Sequence, residues 1–178
     1  MFGPNAGELL QKLYPLEGNY MSHQLALFLW VDDEIVGMFS GYSYDVKKRI
    51  AGSNMWQALK KGPLLLPRMA WKAMTLSKVL SFSEHLEEGE FCVSFVAIEP
   101  TMRGKGLSKR LLARGTEFAR EQGASTLTLC VEVDNEAAVS AYRSLGMEIV
   151  STSEPQKKPR GEGEWTMHRM SMPIAQDG

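Results

Sequence analysis

Arg103, Gly104, Lys105, Gly106, Leu107 and Ser108 are the residues whose types and order say most about chemistry. They follow an apolar run that ends at Ile98 and a turn at Glu99 and Pro100, and they open a helical pattern. That order of strand, turn, basic glycine loop and helix builds an anion site. Backbone amides at the loop and at the helix start point outward unpaired, at the positive end of the helix dipole. The two glycines let the backbone approach a ligand in dihedrals closed to other residues. Arg103, Lys105, Lys109, Arg110 and Arg114 add five positive charges with no acidic residue between them, so the expected ligand is polyanionic.

Two commoner phosphate loops fail on the same letters. A Walker A loop needs GxxxxGK followed by Ser or Thr, and the dinucleotide fingerprint GxGxxG meets Lys109 where its third glycine belongs. What matches is RxxGxG or RxxGxA, with Ser108 at the last small position. A second segment, Leu127 to Val150, reads as a strand, an Asn-led helix with a tyrosine seven residues on, a Leu-Gly stop and a further strand. On these two segments, about a third of the chain, it resembles the GNAT superfamily of acetyl-CoA-dependent N-acetyltransferases.

The resemblance implies an α/β fold with a mixed, mostly antiparallel central sheet flanked by helices, in which the central strand and the next one splay into a V that receives acetyl-CoA. Phe95, Val96, Ala97 and Ile98 would offer main-chain groups to the pantetheine arm and acetyl carbonyl, like an added strand. The pyrophosphate would rest on amides from Arg103, Gly104, Lys105, Gly106, Leu107 and Ser108. Asn135 would hydrogen-bond the pantetheine region, and Tyr142 would face the sulfur. In this chemistry a primary amine attacks the thioester directly in a ternary complex, and the enzyme orients the reactants, donates to the oxyanion and protonates the thiolate. A phenol with a reference pKa of about 10 suits the last task, which makes Tyr142 the candidate acid; its structural reading is a core tyrosine on an amphipathic helix. Glu132 is the candidate base, against a solvated strand carboxylate; Cys130 holds the inner strand position two residues earlier. Glu90 and Glu34 are weaker candidates, and His23, His85 and His168 lie outside any constellation.

The elements that must position these groups are readable from periodicity. A short helix is expected over Ala6 to Tyr14, ended by Pro15, then a hairpin of Gln24 to Val31 and Glu34 to Tyr42 joined by Asp32 and Asp33. Residues 45–86 break the β pattern and carry helical repeats of Met, Trp and Leu interrupted by Gly62, Pro63 and Pro67. They are expected to form a helical insertion, either a substrate-selecting lid or ordinary packing on the sheet. Phe91 to Ile98 is a nearly continuous apolar strand of the kind found mid-sheet. Leu107 to Gln122 is amphipathic and closed by Gly123; Asp134 or Asn135 caps a helix stopped by Gly146. Met147 to Thr152 and Glu164 to Met172 are terminal strands around a polar loop, Glu154 to Gly163. Family members usually carry a strand and a helix before the short helix and hairpin. Only about two dozen residues precede Gln24, so the first family strand is expected to be missing, leaving an open edge for a partner subunit, as in a homodimer, or for the insertion.

A chain of 178 residues with 44% apolar and 23% charged residues fits one domain, here 1–174, and a net charge of -1 argues against a general nucleic-acid binder. Cys92 and Cys130 lie in apolar runs without metal-ligand spacing, so reduced core thiols and no metal are expected. No apolar run approaches a membrane span and the first residues are not a signal peptide, which makes the cytoplasm the expected location, with no membrane partner. Besides an acetyltransferase acting on a small-molecule or protein amine, two readings remain: a non-catalytic acyl-CoA-binding sensor, and a nucleic-acid binder using the basic patches, which lack interleaved aromatic residues.

Overall fold

The computed structural model of the chain describes residues 14–15, 20, 22–60, 85–157 and 163–175; the side chains of 53–60 and 157 are outside the description. Its strands are β1 (Ala26–Val31), β2 (Glu34–Ser43), β3 (Glu90–Ile98), β4 (Thr126–Glu132), β5 (Glu148–Thr152), β6 (Gln156–Lys157), β7 (Glu164–Trp165) and β8 (Met167–Pro173). Among the described residues three α-helices accompany them: α1 (Tyr44–Lys60), α2 (Leu107–Glu121) and α3 (Glu136–Arg143). Six strands make one sheet in the order β1-β2-β3-β4-β8-β5, while β6 and β7 pair separately. All pairs are antiparallel except β3 with β4.

The hairpin turns on Asp32 and Asp33, both left-handed (φ 50° and 62°), a conformation that aspartate tolerates and that a two-residue hairpin loop requires. β1 starts at Ala26 rather than Gln24, because Ser22 caps a turn of 3-10 helix over His23–Leu25 through its hydroxyl and the Gln24 amide. The expected insertion begins as one continuous helix, α1, which runs through Gly52; the rest of 45–86 up to residue 84 lies outside the described residues, as do most of Ala6 to Tyr14 and any strand before it. The last strand is divided at Thr166, whose carbonyl accepts the Val133 amide at 2.9 Å, and β6 interrupts the expected polar loop.

The helices α2 and α3 pack on one sheet face, over Phe39, Phe91, Leu127 and Met170, each at most 1% exposed. Burying such a side chain contributes about 1.5–3 kcal/mol. α2 turns Leu107, Leu111, Leu112, Gly115 and Ala119 inward. A methyl group at Gly115 would overlap the Phe39 ring, so this glycine sets how closely the helix lies on β2. Both helices end in the same way. The Ala124 amide bonds the Ala119 carbonyl and the Gly123 amide that of Arg120, as Met147 bonds Tyr142 and Gly146 bonds Arg143, with the glycines at φ 79° and 91°. The other face carries Leu25, Tyr42, Ile50, Leu86 and Cys92.

The pair β3 and β4 decides where a ligand can enter. It is hydrogen-bonded only from Glu90 with Thr126 to Val93 with Leu129; beyond that β3 continues to Ile98 and β4 to Glu132 unpaired with each other. The parting coincides with a bulge in β3, since Ser40 faces Phe95 and Gly41 faces Val93, leaving Ser94 as the extra residue. A bulge bends and twists its strand, here at the fork of the V. The closed end is clamped on the second face by Arg169 of β8, which reaches over β4 to the Glu90 carboxylate at 2.7 Å and donates to the His85 carbonyl.

Candidate active site

The open end of the V borders a cleft of about 540 Å3, within the usual size of a ligand pocket. Its walls come from β3 (Val96, Ala97, Ile98), from the loop and first turn of α2, and from α3. Gly104 and Gly106 have φ of 76° and 73°, and a β-carbon at either would meet no atom within 4 Å. Backbone conformation is therefore what requires glycine there, and the space beside the loop is open. Gly106 occupies the cap position of α2 and supplies no side-chain acceptor. The amides of Leu107, Ser108 and Lys109 are left for an anion, so the donors present fit a phosphate.

The basic residues around this loop divide into different roles. The Arg103 Nε donates to the Ile98 carbonyl at 3.3 Å, which ties the loop to the end of β3 and sets the guanidinium at the cleft. Lys105 reaches back to the Met102 sulfur at 3.2 Å. Lys109 lines the cleft, and Arg110 is exposed beside it. Arg114 departs from the expected run of five ligand-facing charges: its guanidinium is paired along α2 with Glu117 at 3.0 Å and Glu121 at 2.9 Å.

α3 and the two residues after it close the opposite wall with Ala137, Ala138, Ala141, Tyr142, Ser144 and Leu145. The small residues keep the cleft wide. Ala138 and Ala141 are legible as inward helix positions, whereas Ala137 and Ser144 carry no sequence signal of a cleft. Tyr142 lines the cleft and packs against the core, and burial raises its pKa above the usual phenol value. Its carbonyl accepts the Met147 amide at the helix end, which fixes the rotation of this turn. A tyrosine held protonated there is a proton donor rather than a base.

Of the sequence-derived site residues, Val96, Ala97, Ile98, Arg103, Gly104, Leu107, Ser108 and Tyr142 line one cleft. Phe95, Lys105, Gly106, Asn135 and Glu132 are outside its lining. Phe95 follows the bulge, and Lys105 and Gly106 form the back of the loop. The Asn135 side-chain oxygen is occupied as the cap of α3, accepting the Ala138 amide at 3.2 Å. Glu132 is exposed at the end of β4. Glu90 is held by Arg169, and Glu34 sits at the hairpin tip. The histidines bond elsewhere: His23 with the Tyr14 carbonyl, His85 with Glu87, and His168 with Thr152. Burial pushes the Cys92 thiol up to about 12, against a lowering by Arg169, and raises that of Cys130 as well. Among the described residues no His, Cys, Asp and Glu group could hold a metal, and no helix is long and apolar enough to cross a membrane.

The chain is similar to the mycothiol acetyltransferase of Renibacterium salmoninarum, 45% identical over 62 residues that cover 35% of this chain and 18% of that protein. It is also similar to the N-alpha-acetyltransferase RimI of Mycobacterium tuberculosis, 33% identical over 82 residues, covering 46% of this chain and 50% of RimI. It thus spans half or less of the length of these relatives. Its fold is like that of yncA from Salmonella typhimurium, solved with its cofactor acetyl-CoA (TM-score 0.55, 16% identity, 86% of this chain and 66% of that one). Residues 5–147 match the acetyltransferase (GNAT) family, and with a parallel strand pair that parts beside an uncapped glycine loop, the chain belongs to that family.

Proposed function

We propose that the protein is an N-acetyltransferase that moves an acetyl group from acetyl-CoA to a primary amine by direct attack in a ternary complex. The observation that carries this reading is the position of the cleft, between the open amides of α2 and the Tyr142 hydroxyl, where β3 leaves β4. Acetyl-CoA, when bound, supplies the activated thioester. The loop amides and Arg103 hold its phosphates, and the unpaired edge of Val96 to Ile98 holds its arm in the manner of a strand. Main-chain N–H groups beside the Ser94 bulge donate to the carbonyl oxygen as it gains charge. Tyr142 gives its proton to the leaving sulfur. Glu132, exposed at the end of β4 and outside the cleft lining, takes the amine proton through water.

The relative named as an N-alpha-acetyltransferase supports a primary amine as the acceptor class. A thiol-release assay with acetyl-CoA against alkylamines, amino sugars and peptides is the test. Release that depends on the amine is expected. Acetyl-CoA binding without release on any amine would replace this reading with a sensor, and failure to bind acetyl-CoA would remove both.

A further inference from the structure

Among the described residues three large apolar side chains are strongly exposed, Trp30, Ile35 and Val150, and two of them are cross-strand neighbours. Trp30 (59% exposed) and Ile35 (52%) stand opposite each other at the tip of the β1–β2 hairpin. Leu27 and Leu29 pack on the core beneath α2, so pleat alternation sends Phe28 and Trp30 to the other face. On that face Phe28 is opposite Met38, and Met38 is opposite the exposed Ala97 of β3. An apolar track therefore crosses three strands from the edge of the V to the hairpin tip, half-buried at Phe28, where the Tyr14 ring packs edge-on at 6.0 Å, and at Met38, and open at Trp30 and Ile35.

The tip is also acidic. Asp32, Asp33 and Glu34 form the turn, and Glu99 joins it through its amide on the Val36 carbonyl at 2.8 Å. All four are exposed, and none has an ion-pair partner among the described residues. An exposed tryptophan at a hairpin tip invites association. A second copy is disfavoured, because a twofold contact of this patch with itself would bring carboxylates against carboxylates. A cationic, partly apolar partner satisfies both features.

We propose that the hairpin tip is a docking surface for the acceptor, and that the acceptor is a polypeptide with basic and apolar residues beyond its amine. This deepens the acetyl-transfer reading and rests on it. The amine reacts near Phe95, where the strands part. Trp30, opposite Ile35, lies about five residue rises further along and two strands across, roughly 16 Å by 10 Å, or about 19 Å in all. About six extended residues span that distance, which a small amine cannot do.

The test compares an N-terminal octapeptide carrying lysines and a leucine at positions five to seven, its counterpart with glutamates and a serine there, and a short alkylamine. With saturating acetyl-CoA the basic, apolar peptide is expected to have a KM about tenfold or more below its counterpart. Trp30→Ser and Ile35→Ser should raise that KM about tenfold and leave the KM for acetyl-CoA and the alkylamine rate unchanged. Asp32→Asn with Asp33→Asn, which keeps the left-handed turn, should raise it about threefold and flatten its salt dependence, and it serves if the apolar variants fail to fold. Equal KM values for the two peptides, or no response to the variants, would overturn the proposal. So would a dimer in sedimentation that Trp30→Ser makes monomeric with the peptide KM unchanged, since the tip would then be a self-association surface. If no amine is turned over, it is the transfer reading that fails; anisotropy of the labelled peptides, with the same variants, then decides the docking surface alone.

Discussion

The two helices that border the cleft begin in opposite ways. α2 starts on Gly106, left-handed and without a side chain to accept a hydrogen bond, whereas α3 starts on Asn135, whose oxygen receives the Ala138 amide. Each start carries the positive pole of a helix dipole. Only one of them is open. An internal cap satisfies orphan amides at the cost of a ligand site, and its omission at α2 leaves those donors for an incoming anion.

Supplying the missing cap should break the difference most strongly. Gly106→Asp puts a carboxylate where α2 lacks one; the left-handed backbone costs about 1–2 kcal/mol and the new cap returns about 1 kcal/mol. The protein is expected to stay folded while acetyl-CoA affinity falls about a hundredfold or more, through blocked amides and like-charge repulsion. Titration calorimetry reads this, and an unchanged Kd would place the phosphate elsewhere.

Tyr142→Phe should leave acetyl-CoA affinity within a few-fold and lower kcat by roughly 10² where chemistry limits the rate. Because burial raises this phenol's pKa, the wild-type rate should hold past the ordinary tyrosine value of about 10 before its alkaline fall, and the variant should lack that limb. Wild-type turnover in the variant would assign Tyr142 to packing. Next in size, Arg103→Ala is expected to weaken acetyl-CoA about tenfold, since charge-assisted contacts are worth about 1.5–3 kcal/mol. Arg114→Ala, whose guanidinium Glu117 and Glu121 already hold, should change it less than threefold, the size of a screened surface charge. Equal losses would show that diffuse charge, not the loop, attracts the ligand. The smallest effect belongs to the capped helix. Asn135→Ala should cost about 1 kcal/mol in thermal unfolding with little change in affinity; a tenfold weaker Kd would restore the pantetheine contact that the family resemblance implies.

These helix starts also show which features a sequence makes legible. The loop was readable because its physics is local: two glycines, their cations and the following amphipathic run are enough to expect open amides. Asn135 was equally visible as a cap or as a ligand contact, and which role its oxygen takes depends on a side-chain direction that spacing does not encode. Arg114 looked available because the basic window ended before Glu117 and Glu121, although the next turns of the same helix hold them. The strand pattern of Phe91 to Ile98 was evident, and a central V could be expected from resemblance alone. The Ser94 bulge at which it opens leaves no mark in composition, because any small polar residue fits an extended strand. The boundary at Thr166 leaves no local mark for a similar reason: its carbonyl accepts the Val133 amide, a partner far away in the chain.

The two thiols have a practical side. A thiolate, not a thiol, attacks electrophiles, and Cys92 would have to reach a pH near its raised value of about 12 before much of it ionised. Cys130, also raised, lies only partly covered on the next strand. Colorimetric disulfide reagents at neutral pH should therefore count the coenzyme released in solution and scarcely titrate the folded protein. A rise in protein-borne colour during an assay would report exposure of Cys92 on unfolding.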